Sequence, residues 1–217
     1  MYTKHDSFFA LKLKKQKKIN HIIDRINKTS KDTSIIEKLS LEHKILLKKA
    51  IQDLLDNSEP SSKIKFNLKS NVIAEITTLA DSDLPRYLVH RYRYEIFPQT
   101  KTIDNFPPYL QIEPTSICNY RCVFCFETDE TFTNKKNGHM GQMKLDLFKK
   151  VIDQAEGNIE FISVASRGEP LACSDIVKML EYTIGKFLNL KLNTNASLLD
   201  EKKCHAILSG GVKTIVF

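Results

Sequence analysis

The stretch YLQIEPTSICNYRCVFC, residues 109–125, combines a strand pattern with a group of cysteines. Its first five residues, YLQIE, read as a short β-strand. The loop after this strand carries three of the chain's five cysteines, Cys118, Cys122 and Cys125. Thiolates this close together are soft ligands that select zinc, copper(I) or an iron–sulfur cluster. The stretch therefore predicts a metal centre that directly follows a strand.

The same stretch marks a change in the period of the sequence. From Tyr109 onward, short apolar runs that predict strands alternate with longer amphipathic runs that predict helices. The predicted strands cover residues 109–113, 159–165, 189–194 and 212–217, and the predicted helices cover residues 143–155, 174–187 and 199–210. Such alternation forms right-handed βαβ units with a parallel sheet, whose ligands bind beyond the carboxyl ends of the strands. We therefore predict an α/β domain over residues 107–217, with the cysteines at its ligand-binding edge.

The first half of the chain is predicted to be helical. One face of a first helix is marked by four isoleucines at helical spacing, Ile19, Ile22, Ile23 and Ile26. A second apolar stripe runs through residues 36–55, and Ser34 and Glu37 have the spacing of a capping box that would begin this helix. A further helix is expected near Asp83, with Pro85 in its first turn.

Charge also separates the two halves. Residues 1–106 contain 20 of the 33 Lys and Arg residues and 13 of the 26 Asp and Glu residues, so the whole net charge of +7 lies there. We predict a basic helical region over residues 1–58 and a helical connector over residues 59–106, with a linker at residues 56–63. The basic surface is interpreted either as a solvated helix face or as a docking surface for an acidic partner.

Composition argues against several classes of protein. No apolar run approaches the roughly 20 residues that span a bilayer, and the basic N-terminal stretch has no cleavage site of a secretory signal. The cysteines are odd in number and bunched, which argues against a disulfide framework and for a reducing compartment. Basic residues are not interleaved with aromatics and glycines as in nucleic-acid-binding modules. We therefore expect a cytoplasmic protein, with neither a membrane nor a nucleic acid as its partner.

The sequence places no fourth cysteine near the three in the loop. Structural zinc usually takes four protein ligands, whereas Cys173 and Cys204 stand alone later in the chain and are interpreted as structural residues. Three ligands without a fourth suit a cluster whose last iron stays open for another molecule. Zinc remains the alternative for the three cysteines.

Three segments resemble a known family. CNYRCVFC, residues 118–125, resembles the Cys-x3-Cys-x-aromatic-Cys signature of the radical S-adenosylmethionine (SAM) superfamily, with Phe124 at the aromatic position. RGEP, residues 167–170, is similar to the Gly-Gly-Glu-Pro segment that contacts the amino group of SAM in that family. LNTNASLL, residues 192–199, is similar to the family's Thr-Asn-Gly stretch, which lies near the ligand. The resemblance covers residues 107–217.

The resemblance implies a [4Fe–4S] cluster bound by Cys118, Cys122 and Cys125, with SAM bound beside it. The implied cofactor-binding residues are Phe124, Gly168, Glu169, Thr194 and Asn195. The implied reaction is the reductive cleavage of SAM to a 5′-deoxyadenosyl radical, which abstracts hydrogen from an unknown substrate, a peptide or a small molecule. The implied electron donor is a protein such as flavodoxin or ferredoxin.

The resemblance also implies a partial (β/α) barrel, preceded by the mainly helical N-terminal region. The family's catalytic barrel has six βα units, and the four predicted strands would be the first four, so we expect a chain truncated within the barrel and inactive alone. The general pattern is most similar to the SPASM group, whose members carry auxiliary clusters in a C-terminal extension that is missing from this sequence. An inactive fragment and a zinc-binding interaction module are the alternative functions.

Two residues depart from the family's pattern. Arg167 stands where the first glycine of Gly-Gly-Glu-Pro is usual, and Ala196 stands where glycine follows Thr-Asn. The Arg167 side chain is expected either to crowd its loop or to reach a carboxylate of a ligand. The alternative for Glu169 is a turn acid that leads into a helix, and for Thr194 and Asn195 it is a role as turn formers.

Overall fold

A computed structural model describes residues 8–56 and 64–217, with side chains from Lys17 onward. The chain divides into two compact units, residues 1–103 and residues 104–217. Apart from Asp56, the predicted linker at residues 56–63 lies outside the described residues. The division of the first half at residue 58 stays a prediction, and helices from both sides of it pack into the first unit.

The first unit is helical, as predicted. Its helices are α1 (Phe8–Thr29), α2 (Thr33–Ile36), α3 (Leu41–Leu55), α4 (Ser70–Thr78) and α5 (Leu84–Thr100). The apolar stripes of the sequence form its core because one face of each long helix turns inward. The buried side chains of this core include Ile22, Ile26, Leu47, Ile76 and Leu88. Pro85 lies in the first turn of α5, where its missing N–H removes no helical hydrogen bond.

The predicted capping box at Ser34 is wrong, because the second stripe forms two helices instead of one. The Asp32 carboxylate accepts the Ser34 backbone N–H at 3.1 Å and caps α2. The Ser40 hydroxyl accepts the His43 N–H at 3.2 Å and caps α3. Two successive N-capping side chains therefore divide the stripe. The sequence patterns also did not predict α4.

The second unit has the predicted α/β architecture. Its strands are β1 (Tyr109–Ile112), β2 (Phe161–Val164), β3 (Asn189–Asn193) and β4 (Val212–Val216), which form one parallel sheet in the order β1-β2-β3-β4. The connections contain the short helix α6 (Glu130–Thr133) and the helices α7 (Leu145–Ala155), α8 (Ile176–Tyr182) and α9 (Glu201–Ser209). Each predicted strand and helix of this unit is present, with somewhat shorter bounds. Of the helices that the structure describes, none is both long enough and apolar enough to cross a bilayer.

One face of this sheet is apolar and packs against the helices. Successive side chains of a strand point to opposite faces, so the paired residues Ile112, Val164 and Leu192 share the helix side. They form a buried core with helix residues that include Phe148, Ile152, Ile176, Met179 and Ile207. This core fixes the sheet and leaves the carboxyl ends of its strands to the loops that follow them.

The other face of the sheet carries a row of polar side chains. In the strand register Gln111 lies beside Ser163, Ser163 beside Lys191, and Lys191 beside Thr214. These four side chains form a polar row across all four strands, on the side away from the helix core.

Candidate active site

Three loops meet at the carboxyl edge of the sheet. Residues 113–125 follow β1, residues 165–170 follow β2, and residues 194–199 follow β3. The Glu169 backbone N–H donates to the Ile117 carbonyl at 2.9 Å, which joins the second loop to the first. Because the strands are parallel, segments that are distant in sequence lie side by side at this edge.

Glu169 brings together three of the residues that the sequence singles out. Its side chain is buried, at 2% exposure. One carboxylate oxygen, Oε1, accepts the Thr194 hydroxyl at 2.6 Å and the Leu171 N–H at 2.9 Å. The other, Oε2, accepts the Asn195 backbone N–H at 2.7 Å. We call Glu169, Thr194 and Asn195, with these bonds, the Glu169 turn; it ties the end of β2 to the end of β3.

Gly168 is required by a close approach of two backbone segments. A Cβ atom at this position would lie 2.2 Å from the Thr115 carbonyl oxygen and 2.8 Å from the Ile117 backbone nitrogen. Contacts shorter than 3.0 Å are not tolerated against backbone atoms. Glycine therefore allows the loop after β2 to pack against the chain that leads into Cys118.

The cysteine loop, residues 118–125, offers the predicted donor set. Cys118, Cys122 and Cys125 are free thiols of intermediate exposure. The Cys125 N–H donates to the Cys122 carbonyl at 2.8 Å, which closes a turn between the second and third cysteine. No three Cys, His, Asp or Glu side chains among the described residues converge closely enough to hold a metal ion. The structure thus places three thiols on one short loop without gathering their sulfurs at one point.

The other two cysteines lie elsewhere in the second unit. Cys173 is buried in the apolar core, and this burial raises the pKa of its thiol. Cys204 is exposed on α9.

The Asn195 side chain connects the Glu169 turn to the cysteine loop. Its Nδ2 donates to Asn119 Oδ1 at 3.0 Å and lies 4.0 Å from the sulfur of Cys118. Its Oδ1 accepts both the N–H and the hydroxyl of Ser197, at 3.0 Å and 2.6 Å. The sequence patterns assign no role to Asn119 or Ser197. Only the fold shows that the loops after β1 and β3 meet.

Arg167 forms an ion pair with Glu113. Its Nη2 and Nε donate to the two carboxylate oxygens at 2.9 Å and 3.1 Å, and its backbone N–H donates to Oε2 at 3.1 Å. Although burial by itself raises the pKa of Glu113, the hydrogen bonds and charge of Arg167 outweigh burial and hold that pKa below its ordinary value. Arg167 therefore turns to a protein carboxylate and does not crowd the loop. Sequence reasoning gave Glu113 no role, although the departure from glycine at position 167 was a signal.

A second carboxylate lies just after the third cysteine. Glu127 is buried at 2% exposure, and its Oε2 has no hydrogen-bond partner among the described residues. Arg121 lies 3.7 Å from this oxygen. Burial raises the pKa of Glu127, against the opposing charge of Arg121.

The two remaining residues of interest are a strained alanine and an exposed phenylalanine. Ala196 has a φ of 60°, in the left-handed region that favours glycine, which explains why glycine is usual after Thr-Asn. Phe124, the aromatic residue between the last two cysteines, is 90% exposed. The structure thus brings Gly168, Glu169 and Thr194 together, and it leaves Phe124 at the surface of the described unit.

A cleft of about 300 Å³ opens beside the end of β1. Its walls include Glu113, Arg167, Met140 and Met143. One wall is held in place because the Ser116 hydroxyl accepts the Gly141 N–H at 2.8 Å. The cleft thus combines a fixed ion pair with apolar side chains.

The second unit matches the model of a known protein family. Residues 112–217 match the model described as the radical SAM superfamily. A tungsten-containing aldehyde ferredoxin oxidoreductase cofactor-modifying protein of Pyrococcus furiosus is 30% identical over 111 residues, which cover 50% of this chain and 30% of that protein. GTP 3′,8-cyclase of Campylobacter lari is 32% identical over 112 residues, which cover 49% of this chain and 33% of the cyclase. The chain therefore spans about a third of the length of these curated relatives.

Solved structures also show similarity to this chain. The structure of BtrN in complex with AdoMet and 2-DOIA is 24% identical, with a TM-score of 0.44 over 52% of this chain and 46% of BtrN. The structure of Streptococcus suis SuiB bound to the precursor peptide SuiA is 19% identical, with a TM-score of 0.42 over 81% of this chain and 36% of SuiB.

Proposed function

Because residues 112–217 form a radical SAM domain, we propose that this chain binds a [4Fe–4S] cluster through Cys118, Cys122 and Cys125 and binds SAM beside it. When bound, the two cofactors supply a one-electron cleavage of the sulfonium bond, which gives methionine and a 5′-deoxyadenosyl radical that takes a hydrogen atom from the substrate. The chain's own residues would bind and orient both cofactors.

The observation that carries this proposal is the buried carboxyl group of Glu169, which has no cationic partner among the described residues. Its buried carboxylate accepts three hydrogen bonds, all from neutral donors, and no described Lys, Arg or His forms an ion pair with it. Glu113, by contrast, is neutralised by Arg167. A buried negative charge without a cation is costly, and an ammonium group is the ligand that would offset that cost. We therefore assign Glu169 to the amino group of SAM.

The remaining residues of the site have supporting roles. Thr194 and the Asn195 backbone hold the Glu169 carboxylate in one orientation, and Gly168 lets its loop approach the cysteine loop. Phe124 offers an exposed ring beside the cysteines for contact with the cofactor.

The proposed partners are a substrate and an electron donor. The polar row across the sheet supports a substrate with polar groups, which includes both peptides and small molecules. The cluster needs an electron from a carrier such as flavodoxin or ferredoxin, and the net charge of +7 in residues 1–106 supports an acidic protein. Three free cysteines in one loop support the cytoplasm as the location.

Activity of this chain by itself remains a separate proposal. Its match with the curated relatives covers about a third of their length, so their activities and substrates belong to longer proteins. We propose that residues 1–217 bind the cofactors more weakly than such longer proteins and turn over little substrate.

Metal analysis after anaerobic reconstitution tests the cluster assignment. We expect the native chain to bind four iron ions and Cys122→Ala to lose most of them, because a cluster held by two thiolates is poorly retained. Cys204→Ala is the matched control and should retain native iron. Full iron retention in Cys122→Ala would contradict the assignment, and stoichiometric zinc with no iron would support the interaction module instead.

A further inference from the structure

We infer that Asn195 positions the cysteine loop and donates a hydrogen bond to the sulfur of Cys118, in addition to its role in the Glu169 turn. The inference rests on the proposed function, because it treats Cys118 as a cluster ligand. It gives the Asn195 side chain a task separate from any contact with SAM.

Asn195 is attached to three segments of the edge at once. Its backbone N–H donates to Glu169, at the end of β2. Its side-chain Nδ2 reaches Asn119 Oδ1 at 3.0 Å and the sulfur of Cys118 at 4.0 Å, both in the loop after β1. Asn119 in turn donates to the Ser197 hydroxyl at 2.8 Å, in the loop after β3. A displacement of the cysteine loop would therefore break its contacts with Asn195, which belongs to the Glu169 turn that we propose binds SAM.

The orientation of the Asn195 amide follows from its partners. The Ser197 backbone N–H can only donate, and it lies 3.0 Å from Oδ1, so this side of the amide must be the oxygen. The NH₂ group then faces Asn119 and Cys118. The Ser197 backbone N–H thus keeps the NH₂ group of Asn195 turned toward the sulfur of Cys118.

Cys118 differs from the other two cysteines in this respect. Its sulfur receives the Tyr120 backbone N–H at 3.4 Å as well as the longer contact from Asn195. In the described part of the chain, no hydrogen-bond donor reaches the sulfur of Cys122 or Cys125. Donors to a ligating sulfur stabilise the more negative, reduced cluster and raise its reduction potential. Asn195 would therefore make reduction of the cluster easier.

A redox titration of the reconstituted full chain, followed by electron paramagnetic resonance, tests the inference. We expect Asn195→Ala to shift the midpoint potential to a more negative value than that of the native chain, because one donor is lost. Asn195→Ser, whose short side chain keeps a polar turn but does not reach Cys118, should shift it in the same direction. Ser209→Ala, which removes an exposed hydroxyl at the end of α9, is the control and should retain the native potential.

A second measurement needs no cluster. Hydrogen exchange of residues 116–121 in the metal-free chain should be faster in Asn195→Ala and Asn195→Ser than in the native chain, because the loop loses its attachment to β3. Native potential and native exchange in both variants would overturn the inference while leaving the proposed function intact. A native chain that takes up no iron would overturn the proposed function and the inference together.

Discussion

The Glu169 turn and the cysteine loop lie at the same edge of one sheet, yet they are held in different ways. Glu169 is buried and accepts three hydrogen bonds from its own chain. The three cysteines are partly exposed, and their sulfurs do not converge. One half of the site is therefore built by the fold, whereas the other half holds three thiols that do not meet at one point in the described part of the chain.

This difference separates two kinds of experimental effect. Changes in the Glu169 turn or in Gly168 should alter the stability of the metal-free chain, because their hydrogen bonds and backbone contacts exist without a cofactor. Changes in the cysteines should alter cofactor content and leave that stability near the native value.

Gly168→Ala should have the largest effect on the fold. The added Cβ would meet the Thr115 carbonyl oxygen at 2.2 Å, so the loop after β2 must move away from the cysteine loop. We expect a loss of about 3 kcal/mol in the free energy of unfolding, measured by urea denaturation of the metal-free chain. The control is Gly141→Ala, whose Cβ meets no atom within 4 Å. Equal stability of the two variants would show that the close approach does not matter.

Glu169→Gln should weaken SAM binding by about 10- to 100-fold, since a charge-assisted contact with the ammonium is worth roughly 1.5–3 kcal/mol. Calorimetry on the reconstituted chain measures this change, and iron content should stay at the native value. Glu156→Gln removes an exposed carboxylate that pairs with Lys186, and it serves as the control with native affinity. If the Glu169 variant bound SAM as tightly as this control, Glu169 would not be the ammonium contact.

The Glu113–Arg167 ion pair should give a smaller, pH-dependent effect. The pKa of Glu113 is lowered in the folded state, so the pair stabilises the fold above the ordinary carboxyl pKa, and this contribution is lost as the pH falls through the folded value. We expect Glu113→Gln to cost about 1 kcal/mol at neutral pH, and the difference from the native chain to shrink as the pH falls below the ordinary carboxyl pKa and through the lower pKa of the folded state. Unfolding curves across this range provide the measurement. A difference that persisted at the acidic end would mean that the carboxylate charge is not its source.

Ala196→Gly should have the smallest effect, and in the opposite direction. Ala196 has a φ of 60°, which glycine adopts without the Cβ clash of an L-residue. We expect the variant to be more stable by a few tenths of a kcal/mol to about 1 kcal/mol, because the greater flexibility of glycine when unfolded offsets part of the gain. The shift in urea midpoint reports this value. A lower midpoint would indicate that the alanine methyl group contributes packing that outweighs the strain.

The sequence predicted the second unit well because its signals are local. Alternating strand and helix patterns predicted four strands of a parallel sheet, and the spacing of the three cysteines marked one loop. The order β1-β2-β3-β4 is shown by the structure. The sequence patterns did not predict the break between α2 and α3. Asp32 caps α2 and Ser40 caps α3. Such short polar side chains can also bond to the backbone in turns, so the sequence by itself does not show which of them begins a helix.

The contacts across the edge of the sheet could not be predicted in this way. The bonds of Asn195 to Asn119 and of Glu113 to Arg167 join residues on different strands, and no pattern within one segment encodes them. Glu127 is also buried, although no pattern around it in the sequence predicts burial.

The most direct test of the account is whether cluster and SAM share one site at this edge. Electron–nuclear double resonance on the reduced, reconstituted chain, with an isotopic label on the amino nitrogen of SAM, measures the coupling between that nitrogen and the cluster. We expect a clear coupling in the native chain and its loss or strong reduction in Glu169→Gln at the same SAM concentration. An iron-loaded native chain that binds SAM without any coupling would contradict it.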